Sequence, residues 1–173
     1  MYQRILVPYD GSPTSSRGLD EAIRLARLTG ASVRLLYMID VFLFATGFET
    51  PAAYVDEVIP FMRQAGEKIL QEGKARVENA GVKADTVLVD SIATRLCEAV
   101  NDQVRAWGAD LIVLGTHGRR GVGRLLLGSD AEQIVRTAPV PVLLMRASEA
   151  VADAPARTSE TASAATDKNA GAA

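Results

Sequence analysis

The residues with the clearest chemical potential lie between positions 115 and 129. The chain reads Gly115-Thr116-His117-Gly118, passes Gly121 and Gly123, and reaches Gly128-Ser129. Glycines permit positive φ and let backbone amides come close to a ligand. Amides left unpaired at a helix start attract anions, and the helix dipole adds to that attraction. Ser129 can donate a hydroxyl, and Arg119, Arg120 and Arg124 bring positive charge to the same stretch. Polyphosphate is the partner that suits this combination. The alternative is a surface loop with solvated arginines. A Walker loop is excluded because GxxxxGK[ST] is missing, and a nicotinamide fingerprint is excluded because no GxGxxG follows the first strand.

Such a loop needs a rigid frame, and apolar periodicity supplies one. Arg4-Ile5-Leu6-Val7-Pro8 reads as a strand closed by Pro8 and Gly11. Ser12, Thr14 or Ser15 caps a helix carrying Leu19, Ala22, Ile23 and Ala26 to a stop at Gly30. A second strand spans Ser32 to Ile39. Residues 41–60 have no clear period, although Phe42, Leu43, Phe44 and Phe48 are apolar; they read as a connection with one short helical turn, in which the phenylalanines cover the sheet, lid the pocket or form an exposed patch for a partner. A long helix runs from Tyr54 or Pro60 to Asn79. A third strand follows over Val82 to Val89, a helix over Ala93 to Trp107, and a fourth strand over Asp110 to Gly115. Ser129 opens a helix to about Thr137, and Val140 to Met145 forms the fifth strand. The order βαβαβαβαβ predicts an α/β domain, a doubly wound five-stranded parallel sheet with helices on both faces.

In such a sheet the ligand sits beyond the carboxyl ends of the strands. Those ends are Pro8-Tyr9-Asp10-Gly11, Met38-Ile39-Asp40, Val89-Asp90 and the glycine loop itself. Asp40 and Asp90 are candidates for ligand or metal contact, or solvated strand ends. His117, the chain's one histidine, has no partner for triad or metal chemistry and reads as a loop-fixing residue that can reach phosphate. Cys97 has no CxxC partner and reads as a small packing residue.

Composition narrows the classes further. The 173 residues carry a net charge of −2, without the basic excess of a nucleic-acid binder. No apolar stretch approaches the ~18 residues of a membrane span. The N-terminus does not resemble a signal peptide, and one cysteine fits a reducing compartment, so a cytoplasmic location is expected. The expected domain covers 1–147. Residues 148–173, rich in Ala, Ser and Thr with four acids and two bases, bury too little apolar surface to offset ordering entropy and are expected to be a disordered tail.

Gly115-x2-Gly118-x9-Gly128-Ser129 resembles the nucleotide motif of the universal stress protein family, in its ATP-binding branch. Ile5 to Ser12, Asp110 to Gly118 and Ala138 to Leu144 are similar to that family's first strand, fourth strand and ending, so the likeness spans residues 3–146. It implies an adenine nucleotide, ATP with or without Mg²⁺, held by particular residues. Asp10 would reach the ribose or adenine, with Pro8 shaping the turn. Met38 would touch adenine. Gly115, Gly118, Gly128 and Ser129 would hold ribose and phosphates, with Asp130 next in the motif and His117 and Arg119 in the loop. Two positions depart from the pattern. Relatives often carry Val at the place of Asp130, where an acid could repel phosphate or help to hold a metal ion. After the third strand, Asp90-Ser91-Ile92 replaces the usual glycine and proline. The likeness also implies a homodimer paired through the fifth strand, and a regulatory stress-response role with slow or no ATP hydrolysis. Two other readings compete: a slow ATPase or nucleotide-transferring enzyme, and a receiver-type phosphoacceptor switch using Asp10, Asp90 and Thr116. The switch lacks a paired acid on the first strand and a lysine after the fifth, which ends Met145-Arg146.

Overall fold

The structure is a computed structural model and describes residues 1–39, 58–90, 94–116 and 128–146. The elements are β1 (Arg4–Pro8), α1 (Pro13–Thr29), β2 (Ser32–Met38), α2 (Ile59–Asn79), β3 (Ala84–Val89), α3 (Leu96–Trp107), β4 (Leu111–Gly115), α4 (Ser129–Thr137) and β5 (Val142–Met145). All strand pairs are parallel, in the order β3-β2-β1-β4-β5. The expected doubly wound sheet is therefore observed. A receiver sheet has the order 2-1-3-4-5, so this topology removes the phosphoacceptor switch.

Several boundaries are tighter than periodicity suggests, each for a local reason. β3 begins at Ala84 because the Val82 amide bonds back to Val77 O (3.2 Å), tying it to the end of α2. α3 begins at Leu96 because the Glu98 carboxylate accepts the Arg95 amide at 3.1 Å, a reach-back that defines the helix start. β5 begins at Val142, although Pro141 O still accepts the Ile112 amide at 3.0 Å. α1 starts as expected: Ser12 caps it, Pro13 occupies the first turn, and Gly30, at φ 74°, ends it in the left-handed conformation.

Alternation along the strands divides the core into two layers. Ile5, Val7, Val33, Leu35, Leu111 and Val113 face α1 and α2. Leu6, Leu36, Ile112 and Leu114 face α3 and α4, where Val100, Val104, Ala131 and Ile134 pack. Both faces are covered, so β1 and β4 are apolar along almost their whole length. Cys97 is buried in the second layer, as a packing residue should be.

Helix α2 comes close to the sheet through two glycines. A Cβ at Gly66 would lie 2.8 Å from the Tyr37 ring, and one at Gly73 would lie 2.7 Å from Leu35 Cδ1 and Tyr9 Cε1. A helical glycine costs ~1 kcal/mol relative to alanine. Here it admits two tyrosine rings between helix and strands. No helix among the described residues is long and apolar enough to cross a membrane.

Candidate functional site

The strand order turns back between β1 and β4, and the parts of the site gather at their carboxyl ends. The turn after β1 is held from within. Tyr9 N donates to Leu36 O at 2.8 Å, and Asp10 Oδ1 accepts the Ser12 amide at 3.0 Å. Asp10 therefore closes an Asx turn, and Gly11 supplies the φ of 76° that the turn requires. Ser12 Oγ accepts the Ser15 amide at 3.2 Å and lies 3.3 Å from Thr14 Oγ1, while Ser15 Oγ donates to Ser12 O at 3.1 Å. These hydroxyls are buried. The result is a stiff bend that fixes Asp10 at the sheet edge.

The exit from β4 is equally constrained. A Cβ at Gly115 would meet Thr14 C at 2.8 Å and Ser15 N and Thr14 O at 3.0 Å. Gly115 thus lets the first turn of α1 pack directly on β4, a packing role beside the ligand role its spacing implies. Thr116 N donates to Met145 O, and Thr116 O accepts the Gly128 amide, both at 2.9 Å. The loop between residues 116 and 128 accordingly leaves and returns across one hydrogen bond. Gly128 sits at the N-cap of α4 with no side-chain cap, and a Cβ there would lie 3.3 Å from Thr116 O. Ser129 and Asp130 follow as exposed residues of the first turn. Asp130, with Glu132, complements the positive end of the helix dipole, which is reason enough for an acid there.

Pro8, Asp10, Met38, Gly115, Gly128, Ser129 and Asp130 are thus brought to one edge of the sheet. Met38 packs against the layer under α3 and α4, on the face that α4 enters. His117, Gly118 and Arg119 lie outside the described residues, as do Arg120, Arg124, Asp40 and the phenylalanines at 42, 44 and 48. Among the described residues, no three His, Cys, Asp or Glu side chains converge on a common point.

Two features of this edge carry no mark in the sequence. Asp90, at the end of β3, is paired with Arg63 of α2. A groove of about 440 Å³ runs beside Asp10, lined by Tyr9 to Pro13 with Ile69 and Glu72 of α2. Its size is within the ~300–1,000 Å³ of small-molecule sites. The i, i+3 spacing of Ile69 and Glu72 puts them on one helix face, but nothing local tells which turn that face meets.

The fold and the edge geometry define a class: an open, all-parallel α/β sheet with its strand order turning back between β1 and β4. Comparison with known proteins gives the family. Residues 1–146 match the universal stress protein family, and the chain belongs to it. It is 32% identical over 147 residues to the universal stress protein MJ0531 of Methanocaldococcus jannaschii, covering 84% of this chain and 83% of that one. A crystal structure of a universal stress protein family member from Burkholderia pseudomallei superposes with a TM-score of 0.68 at 33% identity, covering 84% of this chain and 97% of that one. A universal stress protein solved in complex with cAMP shares the fold, with a TM-score of 0.59 at 24% identity over 85% of this chain and 98% of that one.

Proposed function

We propose that this chain binds ATP, with or without Mg²⁺, and acts as a nucleotide-dependent regulatory protein of the stress response rather than as an efficient enzyme. The observation that carries this reading is the start of α4. Its N-terminus has no side-chain cap, its capping Gly128 is pinned to Thr116, and it stands at the same sheet edge as Asp10. Amides in that state suit phosphate oxygens. Ser129 would add a hydroxyl, with Gly118, His117 and Arg119 completing the loop. Asp10 and Pro8 would serve the ribose and Met38 the adenine. That a protein of this fold was solved with cAMP supports an adenine nucleotide as the occupant.

Hydrolysis is expected to be slow, because among the described residues no lysine lines the groove beside Asp10 to offset charge developing on phosphate. Steady-state phosphate release at ~1–100 per second would overturn this part of the reading. The chain would work in the cytoplasm as a homodimer. β5 is an edge strand and leaves Leu144 37% exposed, which suits pairing with a second copy.

Calorimetry of the full chain with ATP and Mg²⁺ tests the proposal. Saturable heat is expected, with its loss in Gly118→Val. No heat from the native chain would overturn nucleotide binding, and equal binding by the variant would move the site away from the loop.

A further inference from the structure

The opposite edge of the sheet carries a second cluster with chemistry of its own. At the amino ends of the strands, Arg4 is the register partner of Ser32, and Val33 N donates to Lys83 O as the β2–β3 ladder begins. Arg4, Ser32 and Lys83 therefore form one row across β1, β2 and the approach to β3. With strands ~4.8 Å apart, the Ser32 backbone stands between those of Arg4 and Lys83. Together with Ala84, Asp85 and Trp107 they line a cleft of about 190 Å³. That is below the ~300 Å³ lower end for drug-sized ligands, and it suits a small ion.

The charges nearby are spent unevenly. Asp85, the acid in the cleft, receives Arg34 Nε at 2.9 Å and Arg34 Nη2 as well. Arg34 also donates to Gln103 Oε1 at 3.2 Å, and its guanidinium lies 4.6 Å from the Trp107 ring centroid. Asp110 uses both carboxylate oxygens on the amides of Gln3 and Arg4, at 2.7 and 3.0 Å. Arg4 spends Nη1 on Trp107 O at 2.6 Å, which holds the guanidinium over Gly108. Neither Arg4 nor Lys83 has a salt-bridge partner among the described residues. The cleft thus holds a positioned guanidinium fork, a hydroxyl and an unneutralised ammonium.

We infer that this cleft is a second anion site, for a compact phosphate such as pyrophosphate, held by Arg4, Ser32 and Lys83 on the far edge of the sheet from the glycine loop. Arg4 offers its remaining guanidinium N–H groups to phosphate oxygens, Lys83 adds a point charge, and Ser32 donates between them.

Trp107 is the chain's one tryptophan and lines the cleft, so it reports occupancy directly. The test is titration of the full chain with inorganic pyrophosphate at constant ionic strength, read by Trp107 fluorescence and by calorimetry. A saturable response is expected, and it should persist with ATP at saturating concentration. Lys83→Ala, at an exposed position, should melt as the native chain does and bind about fivefold more weakly. The site would be overturned by no saturable signal from either readout, by unchanged affinity in Lys83→Ala, or by a response abolished by ATP, which would assign the pyrophosphate to the nucleotide loop. A matching response to chloride alone would reduce the effect to general screening and overturn it too.

Discussion

Gly115 is where packing and the proposed nucleotide binding make separable demands. In Gly115→Ala the new methyl would meet backbone atoms of Thr14 and Ser15 at 2.8–3.0 Å, and backbone cannot swing aside as a side chain can. Overpacking of this kind costs about 1–3 kcal/mol. Gly115 is not among the positive-φ glycines, so alanine also gains about 0.4–1 kcal/mol by restricting the unfolded chain. The net expectation is a loss of about 1–2 kcal/mol, or a fall in Tm of about 2–8 °C for a domain of this size. Gly18 is the internal control. It sits on the facing side of α1, and a Cβ there would lie 3.6 Å from Gly115 N, in ordinary contact. Gly18→Ala should therefore gain about 0.5–1 kcal/mol from helix propensity. Thermal melts and urea denaturation followed by circular dichroism measure both variants. Gly115→Ala should also weaken ATP binding, because the first turn of α1 leads directly from the Asp10 bend. An unchanged Tm with lost ATP binding would show that Gly115 serves the ligand alone and would refute the packing argument. A destabilised Gly18→Ala would show that α1 and β4 are closer than described.

The Asp85–Arg34 pair gives a pH-dependent expectation. Burial raises the Asp85 carboxyl, but the hydrogen bond from Arg34, the Thr86 amide and the charges of Arg34 and Lys74 outweigh it and hold the group below its ordinary 3.8. A pKa lowered on folding stabilises above the unfolded value and loses that stabilisation as pH falls through the folded value. Asp85 is 52% exposed in its side chain, so screening limits Asp85→Asn to a loss of about 0.5–1 kcal/mol at pH 7. Urea midpoints of the two proteins should converge as pH is taken well below 3.8, and a constant gap would contradict this. The proposed β5-paired homodimer predicts that the native chain sediments as a dimer and that Leu144→Asp, placing a charge on the exposed edge of β5, leaves the fold intact and sediments as a monomer; a native monomer would refute the dimer, and an unaltered dimer would place the interface elsewhere.

Much of the frame was legible because strands buried on both faces must be continuously apolar and helices must show a stripe. Ile5 to Val7 and Leu111 to Leu114 are such runs, and Leu19, Ala22 and Ala26 such a stripe. Punctuation was legible too: Ser12, Gly30 and Gly108 act locally, and the structure uses them as cap and stops. Other features were opaque because they join distant segments. Gly66 and Gly73 look like poor helix residues until Tyr37 and Tyr9 fill the space they leave. Asp90 reads as a free strand end until Arg63 is beside it. Arg4, Ser32 and Lys83 form a row only through strand pairing.

The amino-acid sequence by itself determined the alternation of strands and helices and the glycine spacing of the loop, since both rest on interactions between near neighbours. It also determined the family, through the glycine motif together with the first strand, the fourth strand and the ending, and the family match spans residues 1–146. Strand order, by contrast, was decided only by tertiary structure. Each crossover can place the next strand on either side, and the choice depends on which apolar faces α1 to α4 bury together. That choice set the order β3-β2-β1-β4-β5, put the Asp10 turn beside the start of α4, and left the cationic row at the other end of the same strands.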